Sequence, residues 1–269
     1  MTPNPTTTTK TTISVDDSSS WTDIPFARLH GDISKKLNGN NLGPTDIPFV
    51  TSVSDTSLFI RRSAESVIFL LVYVDDIILT GSSMECIQSL MHTLHNEFSL
   101  KDLGSLSYFL GIEFTQLSNG LFLSQRRYIE DLLVRANMQG AKPVTTDLHP
   151  VDSPLLSDVT MYRSLVGGLQ YLSMTRPDIS FAVNKVCQFM HKPAEAHLIF
   201  VKRILRYLQH TSTFGIFLRP ERDLQLSFSA YSDADWAGNH LDRRSTSGYC
   251  VYLGSNLISW SSRKQRTVS

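Results

Sequence analysis

The stretch Ser66–Gly81, SVIFLLVYVDDIILTG, constrains the chain more than any other. Two apolar runs, Val67 to Val74 and Ile77 to Leu79, flank a bare pair of carboxylates, Asp75 and Asp76. β-branched and aromatic residues dominate both arms, which favours strand over helix. A strand, a tight polar turn and a returning strand predict a hairpin with two acids at its tip. Adjacent carboxylates repel, so both stay ionised only where water or a cation neutralises them. Magnesium takes hard oxygen ligands, usually one or two carboxylates together with substrate phosphates. The stretch therefore reads either as a metal-holding hairpin for phosphoryl or nucleotidyl transfer or as an ordinary hairpin with Asp-Asp as its turn.

At 269 residues the chain suits one large domain or two modest ones. Lys+Arg and Asp+Glu are 25 each, so net charge carries no polyanion signal, but its distribution does. Between Leu155 and Pro220 the bases Arg163, Arg176, Lys185, Lys192, Lys202, Arg203, Arg206 and Arg219 face only Asp158, Asp178 and Glu195. Such a segment suits either a nucleic-acid groove or a solvated helix face. Cys86, Cys187 and Cys250 lie far apart with no CxxC spacing, which suggests neither a zinc site nor a disulfide framework. That usage fits a reducing, intracellular setting. No secretory segment is evident, and no apolar run is long enough to span a bilayer.

Five segments follow. Residues 1–50 are a leader, Thr/Ser-rich and disordered over 1–20 and loop-rich after that. Residues 51–141 carry the YVDD hairpin. Asp55–Arg62 is a strand feeding it, and Ser82–Leu100 is an amphipathic helix with Ile87, Leu90, Met91, Leu94 and Phe98 on one stripe. FLGIEF and Leu121–Ser124 form a hairpin through Ser118-Asn119-Gly120, and Gln125–Ala136 is helical. Residues 142–154, with Pro143, Pro150 and Pro154, read as a linker. Residues 155–222 are helical: Met161–Met174 with a Gly167-Gly168 contact point, Ile179–Met190, and Ala194–Gln209 with Lys202, Arg203 and Arg206 opposite an apolar face. Residues 223–269 are a β-meander that ends its first strand in Asp233 and Asp235.

YVDD between two apolar strands resembles the active-site hairpin of reverse transcriptases. Four segments resemble the copia-type LTR-retrotransposon Pol polyprotein in particular: FSLKDLGSLSYFLGIEF, GLFLSQRRYIEDLL, YRSLVGGLQYLSMTRPDISFAVN and YSDADWAGNHLDRRSTSGYCVYLGSNLISWSSRKQ. The similarity runs nearly unbroken from about Asp55 in family order. It implies an α+β chain: a partial antiparallel palm sheet with packed helices, a helical thumb and connection, and the opening strands of an RNase H fold. It also implies magnesium as cofactor and an RNA template with a DNA primer as partners. Asp75 and Asp76 would be catalytic metal ligands, Tyr73 would lie beside the primer end, and Gln125, Arg126 and Arg127 near nucleic acid. Lys202, Arg203 and Arg206 would contact phosphates. Asp233 matches the first catalytic, metal-binding carboxylate of RNase H, whose next acid lies on a helix expected just past Ser269.

The family's other palm aspartate is harder to find. Asp23–Ile33, DIPFARLHGDI, is in step with that motif at Asp23, Ala27, Leu29, His30, Gly31 and Asp32. Pro25, however, is expected to interrupt a strand ladder, and the family's block with Tyr-Gly-Leu-Lys-Gln is absent before Asp75. The expectation is therefore a polymerase fragment without activity, the alternative being an active magnesium-dependent enzyme in which Asp23 completes the site.

Overall fold

Period-two alternation organises the first half of the chain. The computed structural model describes residues 12–14, 24–30, 48–64, 66–140, 153–221, 225–238 and 242–266. It is a mixed α/β chain with antiparallel sheets. The chain divides into two compact units, Asp16–Ser107 and a second made of Met1–Val15 with Tyr108–Ser269. Strand β1 (Thr12–Ser14) belongs to the second unit.

In the Asp16–Ser107 unit six strands form one sheet: β2 (Pro25–His30), β3 (Val50–Thr51), β4 (Leu58–Arg62), β5 (Val67–Tyr73), β6 (Asp76–Gly81) and β7 (Ser99–Ser105). Their order is β3-β4-β5-β6-β2-β7. Ile68, Leu70 and Val72 of β5 and Ile77 and Leu79 of β6 are buried on one face, with Val72 opposite Ile77 and Leu70 opposite Leu79. Helix α1 (Met84–Glu97) contributes Ile87, Leu90 and Leu94 to the same core. Each such side chain stabilises the fold by about 1.5–3 kcal/mol relative to exposure. Ser83 caps the helix, its hydroxyl accepting from the Cys86 N–H at 3.3 Å.

Two expectations are corrected here. Pro25–His30 is not loop but strand, seated between β6 and β7. Pro25 is tolerated because it is the strand's first residue and the register shifts between it and Ala27, the positions where a missing N–H does least harm. Ser99–Ser105, read as helix end and turn, is a strand because β2 offers it a ladder, with Ala27 opposite Asp102 and Leu29 opposite Leu100.

The second unit holds the sheet β11-β10-β9-β8, from β8 (Tyr108–Phe109), β9 (Ile112–Leu117), β10 (Gly120–Ser124) and β11 (Gly215–Leu218). The same unit holds α2 (Arg126–Arg135), α3 (Val159–Leu172), α4 (Ser180–Cys187) and α5 (Glu195–His210), which pack on one another. Their core includes Ile129, Leu132, Tyr162, Leu169, Val201 and Leu205. Gly168 is the contact point expected of the Gly-Gly pair: a Cβ there would come within 2.7 Å of Leu132 Cδ1, while one at Gly167 would meet nothing. The third sheet is β1-β12-β13-β14, from β12 (Gln225–Ala234), β13 (Thr246–Leu253) and β14 (Asn256–Lys264). Trp260 Nε1 donates to the Ser173 carbonyl at 2.9 Å, tying β14 to the end of α3.

Thr12–Ser14, expected to be disordered, is a strand paired with Gln225–Ser227; the rest of the 1–20 segment lies outside the described residues. The two compact units divide between Ser107 and Tyr108; most of 142–154, expected to be a linker, also lies outside the described residues. The physical reason for the division is β10, which ladders with β11 almost a hundred residues later and so joins the helices.

One buried ion organises the helices. Arg176, 1% exposed, donates through Nε and Nη2 to Asp178 at 2.9 and 2.7 Å, and through Nη1 and Nη2 to the Thr211 carbonyl and hydroxyl at 2.8 and 2.7 Å. Tyr207 donates to Asp178 at 2.9 Å, and the guanidinium lies over the Tyr207 and Phe214 rings. Burial alone would raise the Asp178 pKa, but the hydrogen bonds from Arg176 and Tyr207 and the Arg176 charge outweigh it and hold the carboxyl below its usual value. The depressed value means this contribution is complete above the ordinary carboxylate range and is lost as pH falls through the folded-state value. Asp178→Asn should destabilise the protein by about 2–3 kcal/mol, since it strands a buried guanidinium, and should flatten the acid limb of a melting-temperature-against-pH curve.

Candidate functional site

The hairpin turn is one residue earlier than the acids suggest. Tyr73 pairs with Asp76, so Val74 and Asp75 are the two loop residues and Asp76 begins β6. Val74 has φ 53°. Asp75 has no positive φ, so the pattern is that of a type II′ turn, whose first position favours glycine. A β-branched residue there holds about 1–3 kcal/mol of local strain. The sequence reading put Asp-Asp in the turn because acids are common turn formers. The core overrides that preference: Val72 and Ile77 must face each other to reach α1, which leaves two residues between Tyr73 and Asp76.

The same alternation sends Asp76 to the sheet face away from α1. A cross-strand row runs there: Tyr73 opposite Asp76, Asp76 opposite Arg28, Arg28 opposite Lys101. Arg28 Nε donates to Asp76 Oδ1 at 2.9 Å, the arginine side chain 51% exposed and the aspartate 21%. The bond to Asp76 raises the Arg28 pKa first and foremost, with smaller contributions from the charges of Asp76 and Asp75. Asp75 and Tyr73 are exposed. Asp23, the acid considered as a third ligand, lies outside the described residues.

Among the described residues no group of three or more His, Cys, Asp or Glu side chains could hold a metal ion. A two-metal centre for nucleotidyl transfer needs several carboxylates around one site. The described residues give two adjacent acids, one already paired with a guanidinium, and so do not fit that centre. Asp233 likewise belongs to no such group among the described residues. It is an exposed residue near the end of β12, opposite Gly248, and its neighbour Asp235 is engaged by the Thr246 backbone N–H.

The expected nucleic-acid residues divide. Gln125 does not reach the surface: it is fully buried, its Oε1 accepting from the Thr175 hydroxyl at 2.8 Å. Its position just before α2 seats it under the end of α3, where a polar side chain needs an internal partner. Arg126 is exposed but bonded to Glu130 at 2.9 Å. Arg127 lies over the Tyr108 ring, and its backbone N–H donates to Glu113 Oε1 at 2.9 Å. Lys202 and Arg203 stand exposed on α5 and Arg206 is half-buried, all opposite Val201, Ile204, Leu205 and Leu208. Two other bases of that segment do structural work: Arg176 as above, and Arg163, which donates to the Met190 carbonyl at 2.9 Å. The sequence reading did not single out Arg28. Its signal was Ala27–Arg28 lying in step with an apolar–polar strand, a signal set aside because of Pro25.

Residues 44–150 match the family described as reverse transcriptase (RNA-dependent DNA polymerase). The chain is 55% identical over 230 residues to the retrovirus-related Pol polyprotein from transposon RE1 of Arabidopsis thaliana, covering 82% of this chain and 15% of that protein. It is 47% identical to an uncharacterized mitochondrial protein of the same plant, covering 75% of this chain and 85% of the relative. A putative transposon Ty5-1 protein of Saccharomyces cerevisiae is 33% identical, covering 82% and 74%. The chain belongs to the copia-type retrotransposon Pol family and carries its reverse transcriptase domain. It spans about 15% of the length of the RE1 polyprotein. No solved structure matches it. Reverse transcriptases as a family use divalent metal ions and bind nucleic-acid templates. No described helix of this copia-type chain is long and apolar enough to cross a membrane.

Replacing Val74 by glycine should relieve the turn's strain while adding about 0.5–1 kcal/mol of backbone entropy to the unfolded chain. The net expectation is a gain of up to about 2 kcal/mol in unfolding free energy, read from urea titration.

Proposed function

We propose that this chain is a reverse transcriptase module that binds an RNA template with its DNA primer but does not polymerise by itself. The observation that carries this reading is the partner of Asp76: a guanidinium stands across from it, where a polymerase centre needs further carboxylate oxygen. Asp75 and Asp76 are the residues that would hold magnesium in an active relative, with Tyr73 beside the primer end. Asp233 would be the first acid of an RNase H site built on the β12–β14 meander, a chemistry in which several carboxylates together hold the metal ions. Nucleic-acid binding rests on exposed Lys202 and Arg203 and half-buried Arg206, a basic stripe on a helix whose other side is committed to the core. Arg126 and Arg127, at the start of α2, are secondary contacts. The three free cysteines suit a reducing intracellular compartment.

Primer extension on an RNA template with magnesium decides the catalytic half. Neither this chain nor its Asp75→Asn variant should extend the primer; extension that disappears in the variant would establish an active polymerase with an acid such as Asp23 completing the site. Binding is read by anisotropy on a labelled RNA–DNA hybrid. Affinity should fall as salt rises, and joint Lys202→Ala, Arg203→Ala and Arg206→Ala should lower the slope of log K against log salt by about 2–3. An unchanged slope would move the binding face elsewhere.

A further inference from the structure

The row Tyr73–Asp76–Arg28–Lys101 raises a question that the polymerase reading leaves open: what neutralises the hairpin's acids, given that no third carboxylate among the described residues joins them. Two carboxylates one residue apart attract any cation within reach. The sheet supplies one of its own. Arg28 is held by backbone on both sides, pairing with Asp76 of β6 and with Lys101 of β7. Opposite charges directly across a ladder attract and like charges repel. Lys101 on one flank and Asp76 on the other therefore aim the guanidinium toward the hairpin, where its Nε meets Asp76 Oδ1 at 2.9 Å. Asp75 adds its field to the same group.

We propose that Arg28 is a built-in counter-cation that closes the Asp75–Asp76 pair to divalent ions, making it the residue that decides whether this hairpin takes a metal. The inference rests on the reading of the chain as non-polymerising, and it names the cause. Arg28 acts in two ways. It occupies a carboxylate oxygen that a metal would need, and it sets a fixed positive charge beside the place where a dication would sit. A lysine at the same position keeps the charge; a glutamine removes it while retaining a side chain suited to an exposed strand position.

The test is manganese binding, followed by the loss of the free-ion electron paramagnetic resonance signal. The unmodified chain and Arg28→Lys should bind weakly. Arg28→Gln should bind about tenfold more tightly, and that gain should vanish when Asp75→Asn and Asp76→Asn are added. A second measurement needs no variant: manganese added to the unmodified chain should broaden the Asp75 and Asp76 amide resonances no more than those of acids elsewhere on the surface, and selective broadening at those two residues is the contrary result. The proposal is overturned if Arg28→Gln, folded by circular dichroism, gains nothing, if Arg28→Lys gains as much as Arg28→Gln, or if the unmodified chain already shows that selective broadening. These outcomes are separable from the activity assay. Primer extension by the unmodified chain would remove the non-polymerising reading, whereas absence of a manganese gain would remove only the role given to Arg28.

Discussion

The facing pairs Val72–Ile77 and Leu70–Leu79 set the geometry of everything near the hairpin. They are apolar, buried and pressed on α1, so a slip of one residue would turn the three core side chains of β5, or the two of β6, to the opposite face. That constraint fixes the turn at Val74 and Asp75 against local preference. It places Asp76 in the ladder and points it away from the helix. The acid pair is thus split by its own backbone: Asp75 sits in the loop and Asp76 in the sheet, one exposed and the other drawn into a cross-strand row.

Much of this was legible in the sequence. The hairpin, α1 with its serine cap, the Gly168 contact and the three-strand meander all follow from alternation, helical spacing and turn chemistry, which are local signals. What stayed hidden depended on partners distant along the chain. β7 has a weak pattern of its own, Ser-Leu-Lys-Asp-Leu-Gly-Ser, and is a strand because β2 is available to it. β2 was set aside because of Pro25, whose missing donor matters only inside a ladder and not at its start. Gln125 looked like a surface residue because it precedes two arginines. Its burial depends on Thr175, fifty residues on.

Two arginines show how environment decides the use of a charge. Arg176 is enclosed, with every nitrogen bonded and two rings against its plane, and it works as an internal strut between the end of α3, the 3-10 turn at Pro177–Ile179 and the end of α5. Removing its partner leaves a charge without water, hence a large effect on stability. Arg28 is half in solvent and makes one bond to a carboxylate. An exposed pair of that kind contributes at most about 1 kcal/mol to stability, so its importance is local: it changes what the hairpin attracts.

β2 pairs only with strands far along the chain. β4, β5, β6 and α1 follow one another through short connections, whereas Arg28 and Asp76 are 48 residues apart. The loop that must close before β2 can seat is correspondingly long, and its entropy is lost before any of its contacts form. In folding order the hairpin and helix can assemble first, with both acids open to water and the edges of β6 and β7 unpaired; the sheet and the counter-charge arrive together. Detachment of that one strand reverses both at once, so the electrostatic state of the hairpin reports whether the sheet is complete.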